Sequence, residues 1–332
     1  MEYPLESAFA FLQSPLLGDT LGHWLTFGLL IVVLLAFDLG VLHRRDHEIS
    51  VRSSLWLSGF YIAIALLFGV WIGFTSGVSS AELYFTGYLV EKSLSLDNIF
   101  VISLIFAHFG IPRRYQHRVL FWGILGAIAM RAVMIALGAQ LLHSFEWLLY
   151  LFGLFLLITG VRMLFVKEKP HDLGSSRIIK FLRRYLPVTD ELHGNKFIAR
   201  VRVIEAGHTK PRLRPYVTPL LLALVMVEVS DLIFAVDSVP AVLAITQDPF
   251  IVYTSNIFAI LGLRALYFAL SAMIQRFDML KYALALVLIF IGMKVVIGPI
   301  AGPIPSWVSL CVTTSLLAGG VILSLARPNK NG

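Results

Sequence analysis

Apolar runs of roughly twenty residues recur along almost the whole chain, and they restrict its fold more than any other feature. A run of this length is long enough to cross the ~30 Å hydrocarbon core of a bilayer as an α-helix. Only 14% of the 332 residues are charged, whereas about a quarter are charged in a typical soluble domain. Membrane-spanning strands would show short alternating segments, which the sequence lacks. We therefore predict an all-α membrane protein with about nine transmembrane helices.

The basic residues predict how these helices are oriented. The runs lie at roughly 23–43, 55–75, 81–109, 118–140, 145–166, 216–243, 250–273, 279–298 and 305–326. Lysine and arginine occur only in every second connection between them. Because basic loops stay in the cytoplasm, we expect a multi-pass protein of the cell's inner (plasma) membrane, with its N-terminus outside and its C-terminus cytoplasmic. No basic residue precedes the first run, which predicts a retained helix and not a secretory signal peptide.

The segment 167–215 is the one sizeable polar stretch. Within it, Ser175–Leu186 has the spacing of a short amphipathic helix, Phe197–Ile204 alternates like a strand, and Glu205–Thr209 favours a turn. One interpretation places this segment on the anionic inner leaflet; the other makes it a regulatory flap or the docking site of an unknown protein partner. Membrane insertion accounts for its basic charge, so we expect no nucleic acid among its partners.

Two three-helix units resemble each other. Met130–Ala139 resembles Leu263–Ala272, Phe145–Leu164 resembles Phe277–Val296, and Asp97–Phe100 (DNIF) resembles Asp231–Phe234 (DLIF). Since each unit has an odd number of helices, the second enters the membrane from the opposite side. Such inverted repeats are typical of secondary transporters, which bind substrate near the bilayer midplane at the repeat interface. A duplicated scaffold without a transport role is the alternative.

The repeats predict how the chain is divided. Two N-terminal transmembrane helices (1–80) precede the first three-helix repeat (81–166), the basic cytoplasmic segment (167–215), the second, inverted repeat (216–298), and the ninth helix with its cytoplasmic tail (299–332).

Five acidic residues lie inside the apolar runs that open the two repeats. They are Glu91 and Asp97 in the first repeat and Glu228, Asp231 and Asp237 in the second. A carboxylate at the bilayer centre costs about 3 kcal/mol, so these groups require protons, cationic side chains or a bound cation. Ligation by oxygen alone suits manganese, magnesium or calcium better than zinc or copper. We therefore predict a midplane site for a divalent metal ion.

Polar neighbours add to the predicted site. Asn98 is a candidate amide ligand, while Asn256 is either a ligand or a helix–helix hydrogen-bonding residue. Arg131 and Arg264 occupy equivalent positions in the two repeats, and we expect each to form a charge pair with one of the five carboxylates. Asp38 lies outside the repeats and is expected to be interfacial.

The carboxylate spacing leaves two arrangements open. Asp97 follows Glu91 by six residues, as Asp237 follows Asp231, which places each pair about 120° apart on a straight helix. Either the carboxylates serve two sites, or the helices are broken between them. Candidate positions for a break are Ser93, Ser95, Ser230, Ser238 and Pro240.

Metal and protons would compete for such crowded carboxylates, which predicts metal export coupled to proton entry. The single cysteine, Cys311, excludes an internal disulfide framework and a thiolate metal cluster, and we expect no resident cofactor. An intramembrane aspartyl protease using Asp97 with Asp231 or Asp237 is disfavoured because the sequence has no GxGD segment. We therefore expect no enzymatic activity. A third class, a membrane organising partner for metal loading or secretion that transports nothing itself, stays open.

Long motifs carry a family resemblance. They are EKSLSLDN (Glu91–Asn98), VEVSDLIFAVDSVPAVLAITQDPFIVYTSN (Val227–Asn256), FAILGLRALYF (Phe258–Phe268) and FDMLKY (277–282). With them, nearly the whole chain resembles the TerC/Alx family, which is grouped with LysE-type exporters, is named for tellurite resistance and has members linked to manganese export. The resemblance implies that Mn²⁺ is the transported ion and that the five carboxylates stand at the family's acidic metal-site positions.

Overall fold

The computed structural model describes residues 14–16, 19–42, 51–165, 177–203, 212–270, 279–302 and 304–326. Its helices are α1 (Leu21–Leu42), α2 (Val51–Thr75), α3 (Val78–His108), α4 (Arg113–Ser144), α5 (Leu148–Phe165), α6 (Arg177–Tyr185), α7 (Pro219–Ile245), α8 (Pro249–Leu261), α9 (Leu263–Leu270), α10 (Leu280–Ala301) and α11 (Ser306–Ala326). Two short antiparallel sheets pair β1 (Pro15–Leu16) with β2 (Asp19–Thr20) and β3 (Ile198–Val203) with β4 (Arg212–Val217).

The long helices confirm the predicted class of protein. Eight spans in the described ranges are long and apolar enough to cross a membrane, with α8 and α9 counted as one span. The 31 residues of α3 are long enough for a ninth. Large apolar side chains cover the outside of the bundle, among them Phe74 and Ile300 at 86% and 90% exposure. An apolar exterior of this kind suits contact with lipid.

Four helices surround the centre of the bundle. The helix α3 packs against α7 and α8, while α4 packs against α7 and α8 from the other side. The pair α5 and α10 lies beside them, and α11 covers α10 and α3. An aromatic cluster joins α1, α2 and α8, in which the Phe68 and Phe258 ring centroids are 4.7 Å apart. The centre therefore holds the opening helices of both predicted repeats side by side.

The helices that carry the carboxylates are not broken, contrary to the expectation of a break at the serines or Pro240. Both α3 and α7 run continuously through these positions. The Ser93 and Ser95 hydroxyls donate to carbonyls one turn earlier in α3, at 2.7 and 2.8 Å, so they satisfy themselves within the helix. The interruption occurs instead at Gly262, where the predicted helix 250–273 divides into α8 and α9.

The polar segment contains the predicted short elements. The helix α6 confirms the amphipathic helix expected at 175–186, and β3 confirms the strand expected at 197–204. The predicted turn Glu205–Thr209 lies outside the described residues. Strand β4 was not predicted, because RLRPYV contains a proline and alternates basic and apolar residues only over its first three positions. The Thr218 hydroxyl donates to the Lys196 and Phe197 carbonyls at 2.8 and 3.0 Å, which fastens this hairpin to the start of α7.

Candidate intramembrane cation site

A buried arginine connects the predicted site residues of both repeats. The Arg131 Nη1 group donates to the Glu91 carboxylate, to Asn256 Oδ1 at 2.6 Å and to Ser238 Oγ at 3.3 Å. Its Nη2 group donates to Asp231 Oδ1 at 3.2 Å. One guanidinium from α4 thus joins α3, α7 and α8. This confirms Arg131 as a charge-pairing residue, and it gives Asn256 a hydrogen bond between helices.

A small cavity lies beside this arginine. It measures about 20 Å³, which is enough for one water molecule. Asn98 and Asp231 line it, and the Asn98 amide donates to Asp231 Oδ1 at 3.2 Å. Most of the remaining wall is apolar, with Leu120, Ile124, Ile260 and Leu263 among its residues. The cavity therefore presents one amide and one carboxylate to an otherwise apolar space between α3, α4, α7 and the α8–α9 junction.

Four predicted ligands have an oxygen atom that is buried and has no hydrogen-bond partner among the described residues. These atoms are Glu91 Oε2, Asn98 Oδ1, Glu228 Oε2 and Asp231 Oδ2. A buried acceptor without a donor costs about 1–3 kcal/mol, and more when it is charged. Oxygen acceptors that face no donor are the ligand type of a hard divalent cation. The chemistry of this donor set therefore fits the predicted metal.

A glycine makes room for Glu228, which the sequence analysis did not anticipate. Gly126 of α4 faces the Glu228 carboxylate so closely that a Cβ atom at this position would overlap it. Glu228 lies one helical turn before Asp231, on the same face of α7. Gly126 therefore provides the space that the Glu228 carboxylate occupies between α4 and α7. Nothing in the sequence around Gly126 indicated this role, because it depends on which helix packs opposite.

The described side chains assemble only part of the predicted ligand set. Asn98 contacts Asp231, and Glu91 contacts Arg131, but no three His, Cys, Asp or Glu side chains within the described ranges are grouped closely enough to hold a metal ion. Asp97 and Asp237 belong to α3 and α7, and their side chains lie outside what the structure describes. Their role as ligands stays a prediction.

The second predicted charge-pairing residue has a different partner from the one expected. Arg264 of α9 donates through Nη2 to the Asp38 carboxylate of α1, and it lies 3.4 Å from the Asp38 backbone carbonyl. Among the described contacts its ion-pair partner is Asp38, while Glu91 and Asp231 pair with Arg131. Asp38 is 7% exposed, so its side chain is buried within the bundle, and its expected place at the membrane interface stays a prediction. The pairing joins α1 to α9, which also packs against α2.

Lys92 is a functional candidate that the sequence analysis overlooked. Its Nζ atom donates to the Ala259 carbonyl at 3.0 Å, in the last turn of α8. A Cβ atom on Gly262 would lie 2.9 Å from this Nζ atom. A lysine at the end of a helix satisfies carbonyls that have lost their intrahelical donors. The signal was present in EKSLSLDN as a cation within an apolar run, and its partner could not be inferred because the break in 250–273 was not foreseen.

The fold and its charged centre define a class: a polytopic helical membrane protein whose helices enclose an intramembrane polar site. A model of the integral membrane protein TerC family matches residues 76–331. The chain therefore belongs to the TerC family, as the motifs around the carboxylates indicated.

Relatives cover almost the entire chain. A membrane protein of Rickettsia bellii (strain RML369-C) is 48% identical over 306 residues, which are 92% of this chain and 98% of the relative. A membrane protein of Myxococcus xanthus is 44% identical over 306 residues, 92% of each chain. A protein of Photorhabdus laumondii, named as a membrane-bound redox modulator, Alx, is 43% identical over 308 residues, 89% of this chain and 93% of the relative. No solved structure matches the chain.

Proposed function

We propose that this protein is a secondary transporter that exports divalent metal ions, with manganese as the main substrate, through the acidic site between α3 and α7. The observation that carries the proposal is the set of four buried oxygen atoms without donors on Glu91, Asn98, Glu228 and Asp231. These atoms belong to the opening helices of both predicted repeats, where secondary transporters bind their substrates. The choice of manganese rests on the resemblance to TerC/Alx proteins linked to manganese export.

The charges at the site favour exchange of metal for protons. Glu91, Glu228 and Asp231 carry three negative charges when ionised, and Arg131 is the cation that contacts two of them. One divalent ion or two protons would balance the remaining charge. Burial and mutual repulsion oppose leaving these carboxylates ionised without such a partner. In this mechanism external protons release the ion outward, and deprotonation from the cytoplasm restores the site.

Packing between α5 and α10 supports the proposal that the repeats are inverted copies. Gly160 of α5 lies against the Ala285 backbone carbonyl of α10, and Gly292 of α10 lies against the Gly153 backbone carbonyl of α5. The two contacts are counterparts, because the same offset of 132 residues separates Gly160 from Gly292 and Gly153 from Ala285. Two related units meeting in this way could rock around a fixed site to give alternating access.

The proposed setting is the inner (plasma) membrane, with the N-terminus outside. In this orientation the small cavity lies in the cytoplasmic half of the bundle, on the α3–α4 loop side of Arg131. The ion would then reach Asn98 and Asp231 from the cytoplasmic side. We propose no enzymatic activity and no resident cofactor.

Manganese binding tests the site directly. In purified protein, loss of the electron paramagnetic resonance signal of free Mn²⁺ measures the bound fraction. We expect Asp231→Asn to weaken binding by at least about tenfold, in the range seen for residues around metal sites. Glu191→Gln, an exposed carboxylate in the hairpin segment, is the matched control and should bind like the unmodified protein. Equal binding by all three proteins, or by none, would contradict the proposed site.

A membrane organising partner for metal loading or secretion remains the second candidate. The observation in its favour is the structured basic segment that contains α6 and the β3–β4 hairpin. The redox role in the name of the Photorhabdus relative cannot operate here through an intrachain dithiol, because the chain has a single cysteine. Substitutions in the segment that abolish the cellular phenotype, while manganese transport persists, would favour this candidate.

A further inference from the structure

The short helix α6 lies at the end of the bundle where membrane spans begin. Its Ile179 side chain is buried in the same cluster as Ile111 in the α3–α4 connection, Leu120 of α4 and Leu220 of α7. The end of α6 is joined to the hairpin and to α7, because the Val217 amide donates to the Pro187 carbonyl at 2.8 Å. The helix is therefore held at the level where α4 and α7 start.

Only part of the apolar face of α6 is covered by the bundle. At 3.6 residues per turn, the apolar positions 178, 179, 181, 182 and 185 span an arc of about 160°, opposite the basic positions 177, 180, 183 and 184. Ile179 is buried and Leu182 is half-buried, whereas Phe181 and Tyr185 are 60% and 66% exposed. Their rings are adjacent, with centroids 4.6 Å apart. An aromatic strip thus lies next to the covered strip and faces outward.

The hairpin beside α6 presents a similar surface. Ile198 and Leu213 are 57% and 59% exposed, and Arg200 is exposed on the same face of the sheet as Ile198, two residues along β3. Arg202 pairs with Leu213 in the register, so Leu213 shares that face. Ile198, Arg200 and Leu213 thus place exposed apolar and basic side chains on one face of the hairpin.

The surrounding charge identifies the kind of surface that fits. The segment 167–215 has twelve lysine and arginine residues against five aspartate and glutamate residues, an excess equal to the net charge of +7 of the entire chain. Basic residues next to exposed aromatic side chains are characteristic of interfacial helices on anionic lipid. Phenylalanine and tyrosine at the headgroup level place their rings among the acyl chains, and tyrosine keeps its hydroxyl group in water.

We infer that α6, with Phe181 and Tyr185 inserted at the acyl boundary, binds the anionic leaflet of the membrane that holds the bundle. Arg184, whose guanidinium carbon lies 6.0 Å from the Tyr185 ring centroid, contacts the lipid phosphates, and Arg200 of the hairpin adds a second basic contact. The lipid surface is within reach because α6 is fixed at the level where α4 and α7 begin. This inference does not depend on the transported ion.

A spin label on Leu186→Cys, in a Cys311→Ser background, tests the inference in the intact reconstituted protein. Leu186 is exposed and immediately follows α6, so the label reports its depth without removing either aromatic residue. We expect greater collision with oxygen and less with a water-soluble nickel chelate in vesicles containing phosphatidylglycerol than in phosphatidylcholine alone. A label on Glu191→Cys, exposed in the connection to the hairpin, should report water in both.

Two sets of substitutions separate the contribution of the aromatic side chains from that of the arginines. Phe181→Ser with Tyr185→Ser should move the Leu186 label into water in both kinds of vesicle. Arg184→Gln with Arg200→Gln should abolish only the difference between the two lipids. A Leu186 label that reports water in both lipids overturns the inference and points to a protein partner instead. A Leu186 label that is buried to the same depth in both lipids overturns the role of anionic headgroups. Unchanged elution of each variant on size exclusion checks that the bundle is folded.

Discussion

At the residue scale, Arg131 controls the balance of charge in the centre of the bundle. Its guanidinium contacts Glu91 and Asp231, whose other oxygen atoms have no partner among the described residues. Removing one member of a buried ion pair typically costs about 3–5 kcal/mol, because the remaining charge is left buried. A substitution at Arg131 would therefore damage folding and transport together. A substitution that displaces a carboxylate but leaves every charge in place distinguishes an effect on transport from an effect on folding more clearly.

Gly126→Ala is such a change. The added methyl group would occupy the space of the Glu228 carboxylate, so Glu228 must move away from Asp231. We expect manganese transport to fall by roughly tenfold or more, in the range seen when residues around a metal site are altered, with a loss of unfolding free energy of about 1–3 kcal/mol from overpacking. Gly28→Ala, where an added Cβ meets nothing within 4 Å, is the control for glycine replacement. Full transport by Gly126→Ala would show that Glu228 is not a ligand.

At the element scale, the division between α8 and α9 is stabilised by a side chain from α3. Lys92 Nζ donates to the Ala259 carbonyl, and Gly262 has no side chain to displace it. A hydrogen bond from a charged donor contributes about 1.5–3 kcal/mol. The contact ties α3 to the last turn of α8, immediately before α9, whose Arg264 pairs with Asp38.

A double-mutant cycle measures this contact. Lys92→Met removes the donor, and Gly262→Ala would push the donor away from Ala259. Because both changes break the same hydrogen bond, we expect the double variant to lose less unfolding free energy than the sum of the single losses. A control cycle combines Lys92→Met with Gly59→Ala, at a position on α2 where an added Cβ meets open space. In this cycle we expect the two losses of unfolding free energy to add. Additive losses in both cycles would refute the capping role of Lys92.

The α5–α10 contact gives a second prediction at this scale. An alanine at Gly292 would place its Cβ atom 2.6 Å from the Gly153 carbonyl oxygen, and one at Gly160 would be 2.7 Å from the Ala285 carbonyl oxygen. Since the obstacles are backbone atoms, the helices must separate, and we expect each substitution to cost about 1–3 kcal/mol in unfolding titrations. Gly298→Ala, also on α10, meets nothing within 4 Å and should be neutral. A neutral Gly292→Ala would mean that α5 and α10 do not pack this closely.

The same elements show what the sequence could predict. Runs of apolar residues identify the spans because burial in lipid requires them, so predicted bounds such as 305–326 lie close to α11 at Ser306–Ala326. The break at Gly262 was missed because FAILGLRALYF is apolar on both sides of it. The contact found beside it, from Lys92 to the Ala259 carbonyl, joins residues 167 positions apart in the chain. Breaks were also expected at serines and at Pro240, but Ser93 and Ser95 donate within α3, and α7 is continuous through Pro240.

For the candidate site, the sequence pointed to residues to consider but not to their geometry. Carboxylates inside apolar runs stand out because they are costly in lipid, and Arg131 indeed contacts two of them. The repeat equivalence of Arg131 and Arg264 suggested equivalent partners, yet Arg264 reaches Asp38 because α1 supplies a carboxylate outside the repeats. The roles of Gly126 and Lys92 depend on contacts between helices that are far apart in sequence. Residue spacing along a single helix does not reveal such contacts.

At the scale of the whole molecule, two predicted repeats meet around one polar centre, and a basic module lies at one end of the bundle. The centre joins α3, α4, α7 and α8 through Arg131, so movement of either unit changes the distances among Glu91, Asn256 and Asp231. A transporter requires such coupling between its substrate site and its packing. The account therefore predicts that the charged centre binds the ion that is moved.

Uptake of radiolabelled manganese into inside-out vesicles tests this claim most directly. The experiment compares the unmodified protein with Asp97→Asn, Asp231→Asn and the exposed control Glu191→Gln, each checked for insertion and folding. We predict uptake by the unmodified protein and the control, stimulated by an outward gradient of protons from the vesicle lumen, and loss of uptake in both aspartate variants. No uptake above empty vesicles by the folded, inserted protein would contradict manganese export, and full uptake by Asp231→Asn would contradict the site.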